Sequence, residues 1–406
     1  MRERFDVIYC ECSGDIVGAF ENWASRRDDS SSPTVTYSSQ FFEFTRSIGA
    51  RVYALSGCPR PAIARGTDIL VAHHRREVLP LPLVGYHLMQ LRYALRLVGL
   101  ALRYRPRAMY IDSGVTDWIF LAPLRLLGVR IIAVLHNSLW PNGFPPTRPG
   151  KRLLLFADRI FFRYFASAVF CVSPAISRQL TQLLDGRDLP VVEFGASFEP
   201  RHFIGDHSAP AHGTRPFRVL FAGRIERNKG VFDLLHAARQ LEAELPGEFV
   251  YDICGDGSDV EALARQAAAL GLDTIFRLHG RLDRDKLVAR YRAAHVVVVP
   301  TRSDFCEGFA QVVAEAVLLG RPVITNVVVP ALETLREAIV EFVPDDASSL
   351  ATGIRLLADD GELFAAKRAA CTRYREWIFD TRRGYLTQLL KYRDLLGTSA
   401  GDRVGV

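Results

Sequence analysis

The sequence predicts an α/β protein made of two Rossmann-like, doubly wound domains that face each other across a cleft. Three observations predict it. Short apolar runs alternate with segments of helical period along the chain, the rhythm of parallel strands covered by helices on both faces. A length of 406 residues is too great for one ordinary unit of this kind and suits two, each with its own core. A polar stretch containing Gly and Pro, residues 205–216, interrupts the rhythm and reads as a linker, after which the rhythm restarts.

In the first half, residues 6–10, 34–37, 51–55, 108–111, 130–135, 168–172 and 191–194 read as strands. Residues 88–104, 151–165 and 175–184 read as helices between them. In the second half, strands are expected at 217–221, 249–254, 275–278, 295–299, 322–325 and 339–343. Helices are expected at 231–245, 259–270, 284–293, 310–319 and 347–358, with two further helical segments at 362–377 and 382–396. The expected domains are residues 1–205 and 206–377, with 378–406 packing back on the first. Open parallel sheets hold ligands outside the carboxyl ends of their strands. Two of them face to face suit a reaction between two substrates, one held by each half.

Composition excludes some classes. Apolar residues make up 49% and charged residues 24%, as in globular rather than disordered chains. The formal net charge of +6 favours anionic partners such as phosphates, nucleotides or an acidic membrane surface. No dense Lys/Arg tract occurs, so nucleic acid is not an expected partner. The apolar run near the start is too short for a signal peptide, and no run of 18 apolar residues appears. A cytoplasmic protein is expected, with peripheral contact at the inner face of the membrane. That contact rests on residues 88–107 and 151–165, which set Arg92, Arg96, Arg103, Lys151, Arg152 and Arg159 among Leu and Phe. Ordinary helices with a solvated basic face are the alternative reading. The seven scattered cysteines suit reduced thiols. Cys10 and Cys12 have no second pair at zinc-like spacing, so no metal site is expected.

Four motifs carry chemistry. In FAGRIERNKG, residues 221–230, a strand ends, Gly223 turns the chain, and Arg224 and Lys229 flank the start of a helix. Two cations beside a helix N-terminus form an anion site suited to phosphate; a solvated basic turn is the alternative. The second motif is Glu307-Gly308-Phe309-Ala310 leading into a helix that carries Glu315. Eight helical residues span about 12 Å, so one carboxylate reaches the sugar end of a nucleoside diphosphate sugar and the other the ribose end. Glu315 lies among Val312, Val313, Ala316 and Val317, where an unpaired carboxylate would be costly. The third motif, Cys254-Gly-Asp-Gly257, is equally compatible with a tight strand-to-helix turn. The fourth, His279-Gly280-Arg281, also ends a strand and offers backbone groups to a nucleobase edge; side chains that are merely solvated are the alternative.

Taken in order, these motifs resemble the family 4 retaining glycosyltransferases of the GT-B fold. The matching residues are Gly223-Arg224 with Lys229-Gly230, Gly255-Asp256-Gly257, Gly280, and Pro300 with Glu307-Gly308-Phe309. Glu315-Ala316, Gly320-Arg-Pro-Val323, Glu333, Trp377 and Tyr392 complete the set, which covers residues 217–395. The resemblance implies that Arg224 and Lys229 neutralise the donor diphosphate and that Glu315 binds the ribose hydroxyls. Glu307 and the backbone at Gly308, Phe309 and Ala310 would hold the donor sugar and phosphate. The backbone near Arg281 and Leu282 would meet the base. His136, at the end of a strand, matches a cleft histidine that contacts the donor sugar; a structural loop histidine is the alternative. Gly14, in Ser13-Gly14-Asp15, stands where the family has a glycine-rich loop. The implied reaction moves a sugar from a nucleoside diphosphate sugar, the co-substrate, to a glycan or lipid-linked acceptor with retention, without metal or other cofactor. An epimerase of the same fold and a non-catalytic sugar-nucleotide binding protein are the rival readings.

Overall fold

The computed structural model describes residues 3–28, 33–75, 84–205 and 210–397. In chain order the first strands are β1 (Val7–Glu11), β2 (Thr34–Val35), β3 (Val52–Ser56), β4 (Ile63–Arg65) and β5 (Ile69–His73). Next come β6 (Ala108–Asp112), β7 (Arg130–Leu135), β8 (Ala168–Cys171), β9 (Val191–Glu193) and β10 (Ser197–Phe198). The second half supplies β11 (Phe217–Ala222), β12 (Phe249–Cys254), β13 (Phe276–Gly280), β14 (Val296–Val299), β15 (Val323–Thr325) and β16 (Ile339–Glu341).

Two open sheets result, with strand orders β4-β5-β3-β1-β6-β7-β8-β9 and β13-β12-β11-β14-β15-β16. All pairings within them are parallel except β4 with β5. Strands such as β6 and β14 are buried along their whole length. Covered on both faces, they need no polar alternation, so they read as unbroken apolar runs. In each sheet the order reverses beside the first strand of that half, which opens a crevice at the carboxyl edge.

The chain does not end where the second sheet ends. The helix Gly361–Phe379 leaves that sheet, and Gly384 bridges to Gly195. The helix Tyr385–Lys391 then lays Tyr385 and Leu389 into the core of the first sheet, joined by Leu396. Contacts also cross the cleft directly. Asn142 donates to the Val327 carbonyl at 2.8 Å, Gln311 to the Tyr37 hydroxyl at 3.2 Å, and Arg178 pairs with Glu333.

The structure corrects several expectations. Residues 34–37 are not one strand: only Thr34–Val35 is extended, pairing antiparallel with β10. A helix, Tyr37–Ser47, starts immediately after, because Thr36 caps it by accepting from the Ser39 N–H. The strands β4 and β5 and the helix Ile16–Ala24 were not anticipated. Residues 382–396 are not one helix but a short helix between two 3₁₀ turns. The linker at 205–216 falls partly on residues 206–209, outside the described residues.

Candidate functional site

A cavity of about 330 Å³ lies between the carboxyl edges of the two sheets. Tyr37, His136 and Val172 line it from the first half. Gly223, Arg224, Lys229, Thr301, Glu307, Phe309, Ala310, Gln311 and Glu315 line it from the second.

The floor is built by strand ends. After β11 the chain turns at Gly223, whose N–H donates to the Cys254 carbonyl at 3.0 Å. The next turn repeats this, with the Gly255 N–H donating to the Gly280 carbonyl at 2.9 Å. A 3₁₀ turn, Arg227–Lys229, then leads through Gly230 into the helix Val231–Glu244. Gly230 has φ +72°, and a Cβ there would stand 1.8 Å from the Pro300 carbonyl oxygen. Only glycine meets both conditions, and it holds Lys229 against the loop after β14.

Lys229 Nζ lies 2.6 Å from Glu307 Oε2 and 3.9 Å from the Phe305 ring centre. Arg224 pairs with Glu226 at 2.8 Å, and its guanidinium lies 5.6 Å from the same ring. The two cations are thus gathered around Phe305, a residue that sequence reasoning passed over. Glu307 Oε2 also receives the Thr301 hydroxyl at 3.4 Å, and Oε1 receives the Gly308 N–H at 3.3 Å.

The glutamate motif enters its helix one residue later than expected. The helix is Gln311–Leu318, and Ala310 caps it at φ +65° and ψ 82°, with no side-chain cap bond. The first N–H groups of a helix have no partner within it. Here they stand at the cavity wall formed by Phe309, Ala310, Gln311 and Val312. Glu315, one turn along, is buried, and its Oε2 accepts the Tyr291 hydroxyl at 2.8 Å. Burial pushes its carboxyl up to about 7, against the pull of that hydrogen bond. It therefore has a partner, and it also lines the cavity.

From the other side, the His136 ring stacks on Tyr37, with centroids 4.6 Å apart, and its Nε2 lies 3.4 Å from Asp112 Oδ2. The His136 carbonyl oxygen faces Gly308 so closely that a Cβ on Gly308 would come within 1.8 Å of it. Beneath His136, burial and the Asp112 charge push the Glu11 carboxyl up to about 7, although Ser38 donates to it at 2.5 Å.

Most of the expected residues thus converge on one cavity. Gly308 abuts it, packed between Glu307 and His136. Three others do not line it: Gly14, Arg281 and Leu282. Gly14 sits beside Glu11 at the end of β1, with its carbonyl accepting from Ser56 at 2.7 Å. Arg281 and Leu282 follow β13, two strands from β11. Next to them, His279 is partly exposed and lies 2.5 Å from the buried Asp252. Tyr37 and Gln311 were missed. The Thr36–Ser39 cap was the one local signal for Tyr37, and the strand reading hid it. Among the described residues no group of three or more His, Cys, Asp or Glu could hold a metal ion, and neither Cys10 nor Cys12 is in a disulfide.

Two doubly wound sheets sharing a cleft, with an open helix N-terminus and two cations in it, define a protein of the GT-B fold. Residues 206–376 match the sequence family described as glycosyl transferases group 1, and residues 34–195 match the glycosyl transferase 4-like domain. The glycogen synthase of Mycobacterium tuberculosis is 31% identical over 306 residues, covering 72% of this chain and 69% of that one. Among solved structures, sucrose-phosphate synthase from Thermosynechococcus elongatus superposes with a TM-score of 0.71 at 18% identity, over 98% of this chain and 100% of that one. Anabaena HepE in complex with UDP-glucose gives 0.63 at 18% identity, over 96% and 98%. The chain belongs to the family 4 glycosyltransferases of the GT-B fold, enzymes that move a sugar from a nucleotide sugar to an acceptor.

Proposed function

We propose that this glycosyltransferase works with retention of configuration, without a metal ion, and on a glycan or lipid-linked acceptor. The observation that carries the reading is the grouping of Lys229, Arg224 and the open N-terminus of the helix Gln311–Leu318 in one cavity with Glu307 and Glu315. Residues 206–377 hold the donor, and residues 1–205 with the returning segment 378–397 form the acceptor side. Glu315 takes the ribose hydroxyls, and the turns at Gly223, Arg281 and Leu282 border the nucleotide. Glu307, the backbone at Gly308, Phe309 and Ala310, and His136 hold the donor sugar, with Gly14 on the acceptor face.

The departing diphosphate gains charge as the glycosidic bond breaks. Lys229, Arg224 and the helix N–H groups are placed to meet that charge, and each such preorganised group contributes about 3 kcal/mol. The acceptor hydroxyl attacks from the face that the leaving group vacates and passes its proton to the departing phosphate oxygen. A melting-temperature screen against UDP, GDP, ADP and dTDP tests the donor site, since a ligand at 100 times its Kd adds about 2.7 kcal/mol of stability. Excess EDTA should leave the turnover of the matching nucleotide sugar unchanged; loss of turnover restored by a divalent ion would reject the metal-free reading.

We also propose that the first half rests on an anionic membrane surface. In the helix Val84–Tyr104, Tyr93, Ala94, Leu97 and Ala101 face the core, yet the outer side carries Leu88, Leu95 and Leu102. Leu95 is 60% exposed. Arg92, Arg96 and Arg103 flank this stripe, and the helix has no acidic residue. The helix Pro149–Tyr164 adds Lys151 and Arg152 beside Leu153, which is 68% exposed, and Phe156. Both helices pack on the 3₁₀ turn Trp118–Leu121, so they are neighbours. An apolar stripe edged by cations suits the interface of anionic lipid. No helix among the described residues is long and apolar enough to cross a membrane. Vesicles of phosphatidylglycerol and phosphatidylcholine should co-sediment the protein at low salt, and Leu95→Glu with Leu153→Glu should abolish it. Equal recovery with purely phosphatidylcholine vesicles would overturn the charge argument.

A further inference from the structure

A second cavity, of about 250 Å³, lies beside the donor cavity, and Val172 and Phe309 line both. It is walled by the ends of β8 and β9, by the second half, and by the segment that crosses between them. Its apolar surface is largely aromatic, from Phe194, Phe198 and Trp377. Set into that surface are hydrogen-bonding groups. Ser173 is 1% exposed, and its hydroxyl makes no hydrogen bond. An unsatisfied buried polar group costs about 1–3 kcal/mol, so a structure that keeps one calls for an explanation. The Arg383 guanidinium stacks 4.0 Å from the Trp377 ring centre, and its charge acts on Asp380. Glu193, exposed, lines the same space.

Aromatic rings with donors and acceptors around them suit a molecule that is apolar on its ring faces and hydroxylated at its edge. The volume falls below the range of about 300–1,000 Å³ typical of sites for drug-sized ligands, so it suits one small ring. Phe309 follows Glu307-Gly308, at the sugar end of the donor helix. A ring seated in the second cavity therefore lies next to the sugar to be transferred.

We propose that this second cavity is a saccharide subsite that seats one sugar unit of the glycan acceptor, with Ser173, Glu193 and Arg383 bonding its hydroxyls. The inference rests on the glycosyltransferase reading of the adjoining cavity. The test uses the full chain on an array of lipid-free oligosaccharides, in the presence of saturating UDP, GDP and ADP. Wild-type protein should bind a defined set of glycans. Arg383→Gln and Ser173→Ala should each cut that signal tenfold or more, while the nucleotide-induced rise in melting temperature stays the same. Arg382→Gln, an exposed neighbour paired with Asp380, should leave both readings unchanged. A nucleotide shift without glycan binding, or glycan binding that both variants retain, overturns the subsite. Absence of any nucleotide shift in the wild type would instead overturn the donor site on which the subsite rests.

Discussion

At the scale of single residues, the two glutamates do different work. In the proposed reading Glu315 meets a part of the donor that does not react, so its interaction is alike in ground and transition states. Glu315→Gln should raise donor KM more than it lowers kcat. Its carboxyl is pushed to about 7 by burial, and it accepts ribose hydroxyls best when ionised. Nucleotide affinity should therefore rise as pH increases through about 7, and the Gln variant should lose that slope in calorimetry. Stability runs the other way. The folded carboxyl binds its proton more tightly than the unfolded one, so this group's contribution is fully present below the unfolded value and is lost as pH rises through about 7. In the same proposed reading Arg224 and Lys229 face charge that exists only as the bond breaks. Arg224→Ala or Lys229→Ala should lower kcat by about a hundredfold or more. Glu307→Gln should also act on kcat and leave binding of the bare nucleoside diphosphate nearly intact. A Glu307→Gln enzyme with full turnover, or an Arg224→Ala enzyme altered only in KM, would show these roles to be wrong.

Structural elements explain what could and could not be read in the chain. The helix that carries Glu315 was visible because a carboxylate stood among valines, and the strand before it because four valines are buried on both faces. Tyr37 was hidden. Its contacts to His136 and Gln311 join residues 99 and 274 positions away, and no local pattern encodes such pairs. β4 and β5 escaped for a different reason. They lie at the sheet margin, β4 is antiparallel and largely exposed, and its composition resembles a loop. The start of the glutamate helix was misjudged by one residue because its N-cap, Ala310, takes a left-handed conformation that favours Gly. A non-glycine residue in that conformation is strained by about 1 kcal/mol or more. Ala310→Gly should thus keep or slightly raise the melting temperature. Gly308→Ala should do the opposite to function, since its Cβ would sit 1.8 Å from the His136 carbonyl oxygen. We expect at least a tenfold loss of kcat/KM with a fold intact by circular dichroism.

For the whole molecule, the same contact makes a statement about motion. His136 and Gly308 belong to opposite halves, and only the absence of a side chain lets them touch. Among the described residues the other bridges include Gln311 to Tyr37, Asn142 to Val327, Arg292 to the Ile204 carbonyl, and the ion pairs of Arg284 with Asp28 and of Arg178 with Glu333. The Arg178–Glu333 pair is half-exposed and so contributes roughly 0–1 kcal/mol. The covalent crossings, in contrast, are confined to one side, near β10 and the bridge of Gly195 to Gly384. A molecule tied at one side and lightly latched across a cleft opens by hinge rotation, and a two-substrate cleft must open to load. A nucleoside diphosphate that meets the helix N-terminus from one half and His136 from the other adds contacts only in the closed form, so it shifts the population toward closure. Small-angle scattering should show a smaller radius of gyration with saturating nucleotide than without it. Gly308→Ala, which cannot bring its helix against the His136 carbonyl, should bind the nucleotide and stay at the larger radius. If wild type and Gly308→Ala scatter alike with nucleotide bound, closure does not run through that contact, and an unchanged wild-type radius removes the hinge altogether.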